Sequence, residues 1–201
     1  MVLNVPIGSS VSGDLVSDHL RALVEGARRL EPAAATIRGW AEDLAQVFGS
    51  GGMVLTCGNG GSAAEAQHLT GELVGRFRAD RPSLPAISLC ADSATTTAIV
   101  NDYGSDEMFA RQVRGYGRPG DVLVALSTSG SSPNVVAAAK AGLEIGLTVW
   151  ALTGPAPNPL AAMADAAIAV DAPTTATVQE LHLSIVHALC LALDCALGVS
   201  T

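Results

Sequence analysis

Apolar residues repeat along the chain in two distinct rhythms. Leu20, Leu23, Val24, Ala27 and Leu30 recur at helical spacing, and Ile37, Leu44 and Val47 continue that rhythm in a second helix starting near Pro32. The first fifty residues therefore read as two helices. After them come short β-branched runs at 53–57, 86–89, 121–127, 147–153 and 167–170, each separated from the next by a helical or loop segment. Five strands alternating with helices predict an α/β fold, a doubly wound parallel sheet flanked by helices. Pro155, Pro157 and Pro159 crowd one loop, but no low-complexity linker or internal repeat divides the sequence, so one domain over 1–201 is expected.

Composition narrows the partners. The 201 residues are 49% hydrophobic and only 3% aromatic, which suits one large core of Ala, Leu and Val. A net charge of −8 argues against holding nucleic acid or an anionic membrane through bulk electrostatics, so an anionic ligand must be held by local donors. Residues 181–199 are apolar enough to raise the question of a membrane span, but His182, His187 and Asp194 interrupt them, which fits a buried or interface helix instead. Cys57, Cys90, Cys190 and Cys195 form no Cys-x-x-Cys pair, and the first thirty residues show no secretory pattern; a reducing, cytoplasmic setting is expected.

Two loops carry candidate chemistry. Cys57-Gly58-Asn59-Gly60-Gly61-Ser62 follows a strand and opens a helix, where free backbone N–H groups favour phosphate. The Gly-x-Gly-x-x-Gly spacing fails at Ser62-Ala63 and no Gly-Lys-Ser/Thr follows, so this is not a common nucleotide loop; alone, it also fits a plain tight turn. Ser127-Thr128-Ser129-Gly130-Ser131-Ser132 follows the third strand, with Pro133 suited to the first helical position and Ser132 to its cap. Its hydroxyls can donate to phosphate oxygens without adding charge, and the alternative is a serine-rich turn with an ordinary cap. Both loops fall at carboxyl ends of strands and are expected to share one rim.

His68 and Glu72 stand at i and i+4, stacked on one helix face, where they can share a metal or a proton path or form a surface contact. The other polar cluster, Gln179, Glu180, His182 and His187, interrupts the apolar pattern of the last helix. At about 100° per residue, Glu180 lies about 20° from His187 and Gln179 about 80°, so spacing favours Glu180 as the companion of His187. These residues also fit a polar seam at a helix interface.

Taken together, Cys57-Gly-Asn-Gly-Gly-Ser62, His68-x-x-x-Glu72, Asn101-Asp102, Ser127-Thr-Ser-Gly-x-Ser132 and Gln179-Glu180-x-His182 with His187 resemble the sugar isomerase (SIS) domain family, and within it the phosphoheptose isomerases, over nearly the whole chain. The resemblance implies a zinc site of His68, Glu72, Gln179 and His187, one Zn2+ per subunit, with Glu72 and His187 as the catalytic acid/base pair. It takes Gln179 over Glu180, against the spacing. It implies phosphate contacts from Ser127, Thr128, Ser129 and Ser132, and contacts to the rest of the sugar phosphate from Asn59, Gly60, Gly61, Asn101, Asp102, Glu72 and Gln179, with Ser62 and Arg76 as additional contacts. The 174–177 loop lacks the charged residue that some isomerases of this family carry there.

The implied activity converts sedoheptulose 7-phosphate to D-glycero-D-manno-heptose 7-phosphate through an enediol, the first step of nucleotide-activated heptose biosynthesis, in a cytoplasmic homotetramer whose helical first fifty residues pack between subunits. Residues 81–87 and 97–102 also look like a non-catalytic group of the same fold that binds the bacterial replication initiator. That group lacks the glutamate and final histidine, and this chain keeps both. A sugar-phosphate-sensing regulator is a third reading, but the chain has no basic helix-turn-helix segment.

Overall fold

The structure, a computed structural model, describes residues 13–199, so positions 1–12 and 200–201 of the expected domain lie outside the described residues. Helix α1 (Leu15–Arg29) is capped by Asp14, whose side chain accepts from the Ser17 N–H, and ends on Arg28 and Arg29, where cations suit the helix dipole. A short 3-10 turn at Glu31–Ala33 leads to α2 (Ala34–Gly49), which buries Ile37, Trp40, Ala41 and Leu44. The two expected N-terminal helices are present.

Strands β1 (Val54–Cys57), β2 (Ala86–Ser88), β3 (Val122–Ser127), β4 (Thr148–Thr153) and β5 (Ala166–Ala169) fall within one residue of the expected runs and pair in parallel in the order β2-β1-β3-β4-β5. Successive side chains of a strand point to opposite faces. Val122, Val124 and Leu126 of β3 accordingly join one core cluster, while Leu123 and Ala125 join the other. Burial on both faces is why these strands read as continuous apolar runs.

One face is covered by α2, α3 (Gly61–Val74) and α8 (Thr175–Ala196), with Trp40 stacked on Trp150 of β4 at 4.6 Å between ring centroids. The other face carries α5 (Glu107–Tyr116) and α6 (Pro133–Glu144), with α4 (Ser93–Tyr103) against α5 and the short α7 (Pro159–Met163) against α6. Helix α8 is long and apolar enough by composition to cross a membrane. It packs instead on α1, α2 and α3, burying Leu181, Ile185, Val186, Leu189 and Leu193.

Candidate active site

Strand β1 pairs with β2 on one side and β3 on the other, so the loops that follow β1 and β3 stand on neighbouring strand ends, with Cys57 of β1 in register with Ala125 of β3. In the first loop Gly60 takes a φ of +55° and stands at the N-cap of α3, with no side chain covering the first turn. The N–H groups of Ala63 and Ala64 already return to the Asn59 and Gly60 carbonyls, which leaves those of Gly61 and Ser62 as the helix's open donors. Gly58 tolerates no Cβ, because the backbone and Cβ of Ser62 would lie 2.7–2.9 Å from it. Ser62 itself is buried.

The second loop gathers hydroxyls. Ser127 Oγ lies 3.0 Å from Ser132 Oγ and 3.4 Å from Ser129 Oγ. Ser132 holds the N-cap position of α6, yet its hydroxyl caps nothing, which corrects the ordinary-cap alternative. The reason lies one residue past Pro133: the Asn134 carboxamide accepts the Val135 N–H at 3.0 Å, the bond a capping hydroxyl normally takes, and Ser132 is left free to face the loop. Close contacts with a side chain and with backbone fix the loop's shape. A Cβ on Gly130 would lie 2.0 Å from Asn158 Oδ1, and one on Gly154 would lie 2.0 Å from the carbonyl oxygen of half-buried Thr128.

Helices α3 and α8 run side by side in the same direction, and their facing residues form successive rungs. At the first, the Gln179 carboxamide presses on Gly61, where a Cβ would come within 2.5 Å of it. At the second, His182 is fully buried with Nε2 3.0 Å from the Thr153 carbonyl, and its Nδ1 faces Glu65 Oε2 at 3.7 Å, neither atom having a hydrogen-bond partner. At the third, His68 Nε2 lies 2.9 Å from His187 Nε2 and 3.1 Å from Glu72 Oε1, while the Phe77 ring stands 5.7 Å from the His187 ring. At the last, Arg81 donates to the Glu72 and Leu73 carbonyls at 2.6 and 2.8 Å and to Asp194 Oδ1 at 3.1 Å, in a buried ion pair that ties the end of α3 to α8.

The third rung is the chemical one. One ligand atom from each of His68, Glu72 and His187 lies within 4.8 Å of the others. Two imidazole nitrogens facing each other at 2.9 Å need a proton or a cation between them, because two lone pairs repel. Two imidazoles and a carboxylate are also a donor set that divalent zinc accepts, so these residues fit an ion of that kind. Burial, then the charges of Glu72 and Asp194, push the thiol of Cys190, on α8 nearby, up to about 12. Burial likewise raises the Cys57 thiol well above its ordinary value.

Other expected residues fall elsewhere. Glu180 is not the companion of His187: it turns to α1, where its Oε1 sits 2.9 Å from His19 Nε2. Angular spacing along one helix cannot register a third helix packed against it. Gln179 stands eight residues before His187, about 12 Å along the axis. Asn101 and Asp102 are exposed in the last turn of α4, where the Asn101 amide donates to the Asp102 carboxylate at 2.7 Å, and Arg76 is exposed and donates to the Arg78 carbonyl at 2.6 Å. Sequence reasoning missed Asn134, which exchanges two hydrogen bonds with Asn59, and the Arg81–Asp194 pair. For the pair a signal was present: an acid inside an otherwise apolar helix demands a buried cation.

A profile of the SIS domain family matches residues 18–154. The phosphoheptose isomerase of Streptomyces coelicolor is 62% identical over 158 residues, covering 79% of this chain and 68% of that protein. That of Aromatoleum aromaticum is 45% identical over 191 residues, covering 92% and 96%. The solved structure of phosphoheptose isomerase GmhA from Neisseria gonorrhoeae has a TM-score of 0.80 at 41% identity, covering 90% of this chain and 95% of its own.

Proposed function

The chain belongs to the SIS domain family and, within it, to the phosphoheptose isomerases, and from that premise we propose that it converts sedoheptulose 7-phosphate to D-glycero-D-manno-heptose 7-phosphate, with each site residue in the role derived below. The observation that carries the reading is the meeting of His68, Glu72 and His187 in a helix pair whose first rung belongs to the glycine loop. Interconverting a ketose and an aldose moves a proton between C1 and C2 while the two oxygens exchange roles, which needs a base at carbon and an acid at oxygen.

In this reading the phosphate rests on the hydroxyls of Ser127, Thr128, Ser129 and Ser132 and on the open N–H groups of Gly61 and Ser62, all uncharged donors. Asn59, Gly60, Asn101, Asp102 and Gln179 contact the rest of the sugar phosphate. Glu72 turns Oε1 toward His68, which leaves Oε2 to take the C1 proton and return it to C2. His187 carries the proton between O2 and O1. When bound by His68, Glu72 and His187, zinc would supply Lewis-acid stabilisation of the developing enediolate; Gln179, the fourth ligand that the resemblance implies, stands at the Gly61 rung about 12 Å along α8 and does not meet the other three. The initiator-binding and regulatory readings are not favoured, since the relatives are named isomerases and the chain keeps Glu72 and His187.

The same proposal includes a homotetramer. Helices α1, α2 and α8 leave an apolar groove of about 740 Å³ lined by Leu30, Ile37, Ile185 and Leu191, and α1 exposes Leu15, Val16, Leu20 and Val24. Surfaces of this kind fit subunit packing, and light scattering that returns a monomer mass sinks this part. Four free cysteines support a reducing, cytoplasmic setting.

The test of the activity is to incubate zinc-supplemented protein with sedoheptulose 7-phosphate and follow the product by NMR. Conversion that a chelator removes and zinc restores is the expected result. No conversion by folded, zinc-loaded protein overturns the reading.

A further inference from the structure

We propose that Asn134 is a positioning residue for the phosphate-binding rim, holding Asn59 and the glycine loop in register with the serine loop. The inference rests on the reading of that rim as the phosphate end of the site. Asn59 Nδ2 donates to Asn134 Oδ1 at 2.8 Å, and Asn134 Nδ2 donates back to Asn59 Oδ1 at 2.9 Å, a reciprocal pair joining residues 75 apart in sequence. The orientation of the amide follows from its surroundings: Asn134 Oδ1 also accepts the Val135 N–H at 3.0 Å, and Nδ2 also faces Met108 Sδ at 3.7 Å. A carboxamide has two donors and two acceptor lone pairs, and here all four are used.

Asn134 is buried and has no capacity left for a ligand. Asn59 is exposed and keeps one N–H and one lone pair, aimed in a direction that Asn134 sets. The glycine loop needs such a strut, because Gly60 at φ +55° is a permissive position and no side chain caps α3. The same carboxamide takes the Val135 N–H and so releases the Ser132 hydroxyl to the loop. One buried side chain therefore sets both halves of the rim.

The experiment is a double-mutant cycle on KM for sedoheptulose 7-phosphate, using Asn134→Ala, Asn59→Ala and both together. Asn134→Ala is expected to raise KM about tenfold, the worth of one to two lost hydrogen bonds, with kcat within about threefold. Because Asn134 acts on the glycine loop through Asn59, that share of the rise disappears in the Asn59→Ala background, and only the share passed through Ser132 remains. Equal rises in both backgrounds, or an unchanged KM with a lowered melting temperature, overturn the proposal as a merely structural role. If Asn134→Ala fails to fold, Asn134→Ser replaces it, keeping a hydroxyl for Val135 while losing Asn59. The cycle is read a second time as thermal protection by inorganic phosphate, which needs no turnover. Wild-type protein that phosphate protects but that does not isomerise sinks the isomerase reading and leaves this one standing; a cycle without coupling sinks this one alone.

Discussion

The helix pair α3 and α8 and the two loops above β1 and β3 both gather polar groups, but from opposite materials. The helix pair presents titratable side chains, His68, Glu72 and His187, on regular elements, and anchors them below with the Arg81–Asp194 pair buried to 2% and 1% side-chain exposure. The loops present hydroxyls and backbone N–H groups, and take their shape from glycines pressed against neighbouring backbone and side chains. Groups that must exchange protons at a defined atom gain from rigid elements. An anion only needs converging dipoles, and in a chain of net charge −8 these come without building a cationic patch.

That division can be broken at three levels. Glu72→Gln is the most severe test: kcat should fall about a thousandfold, within the range of a lost general base, with KM changed by less than about threefold. Paired Ser127→Ala and Ser132→Ala should do the reverse, raising KM about tenfold or more through lost hydrogen bonds to the phosphate while kcat holds. If the serine variants lost turnover as Glu72→Gln does, with KM unmoved, the two halves would not be separate in function.

The smallest effect concerns the ground beneath the helix pair. In the unfolded chain the Cys190 thiol ionises near 9.0, whereas in the fold it holds its proton up to about 12. The folded state thus binds more protons across that window, and stability falls as pH rises through it. Urea midpoints taken at about pH 8 and about pH 10.5 should drop less for Cys190→Ala than for wild type; equal drops would show that the thiol carries none of the slope.

Much of the loop half was legible in the sequence because its determinants are local. Gly58 to Ser62 and Ser127 to Ser132 each follow an apolar strand directly, and strand ends in parallel sheets are where ligand loops stand. His68 and Glu72 were legible for the same reason, four residues apart on one helix. Their meeting with His187 is 119 residues away in sequence and has no local signature, so the resemblance supplied it where spacing pointed to Glu180. Glu180 was misread because His19 comes from α1, and Asn134 went unseen because a short polar residue after Ser132-Pro133 looks like any first-turn residue.

Chain order gives that sequence separation a consequence in time. The Asn59–Asn134 strut is available once α6 has formed, and the Gly154 and Asn158 contacts that shape the serine loop once α7 has formed, while α8 with His187 and Asp194 is the last described element. Contacts between distant segments form late, because loop closure precedes the contacts that reward it, and synthesis supplies the chain from its N-terminal end. A nascent chain thus assembles the proposed phosphate cradle before it possesses the partner of His68. On the proposed reading binding is ready first, and reactivity arrives only with α8.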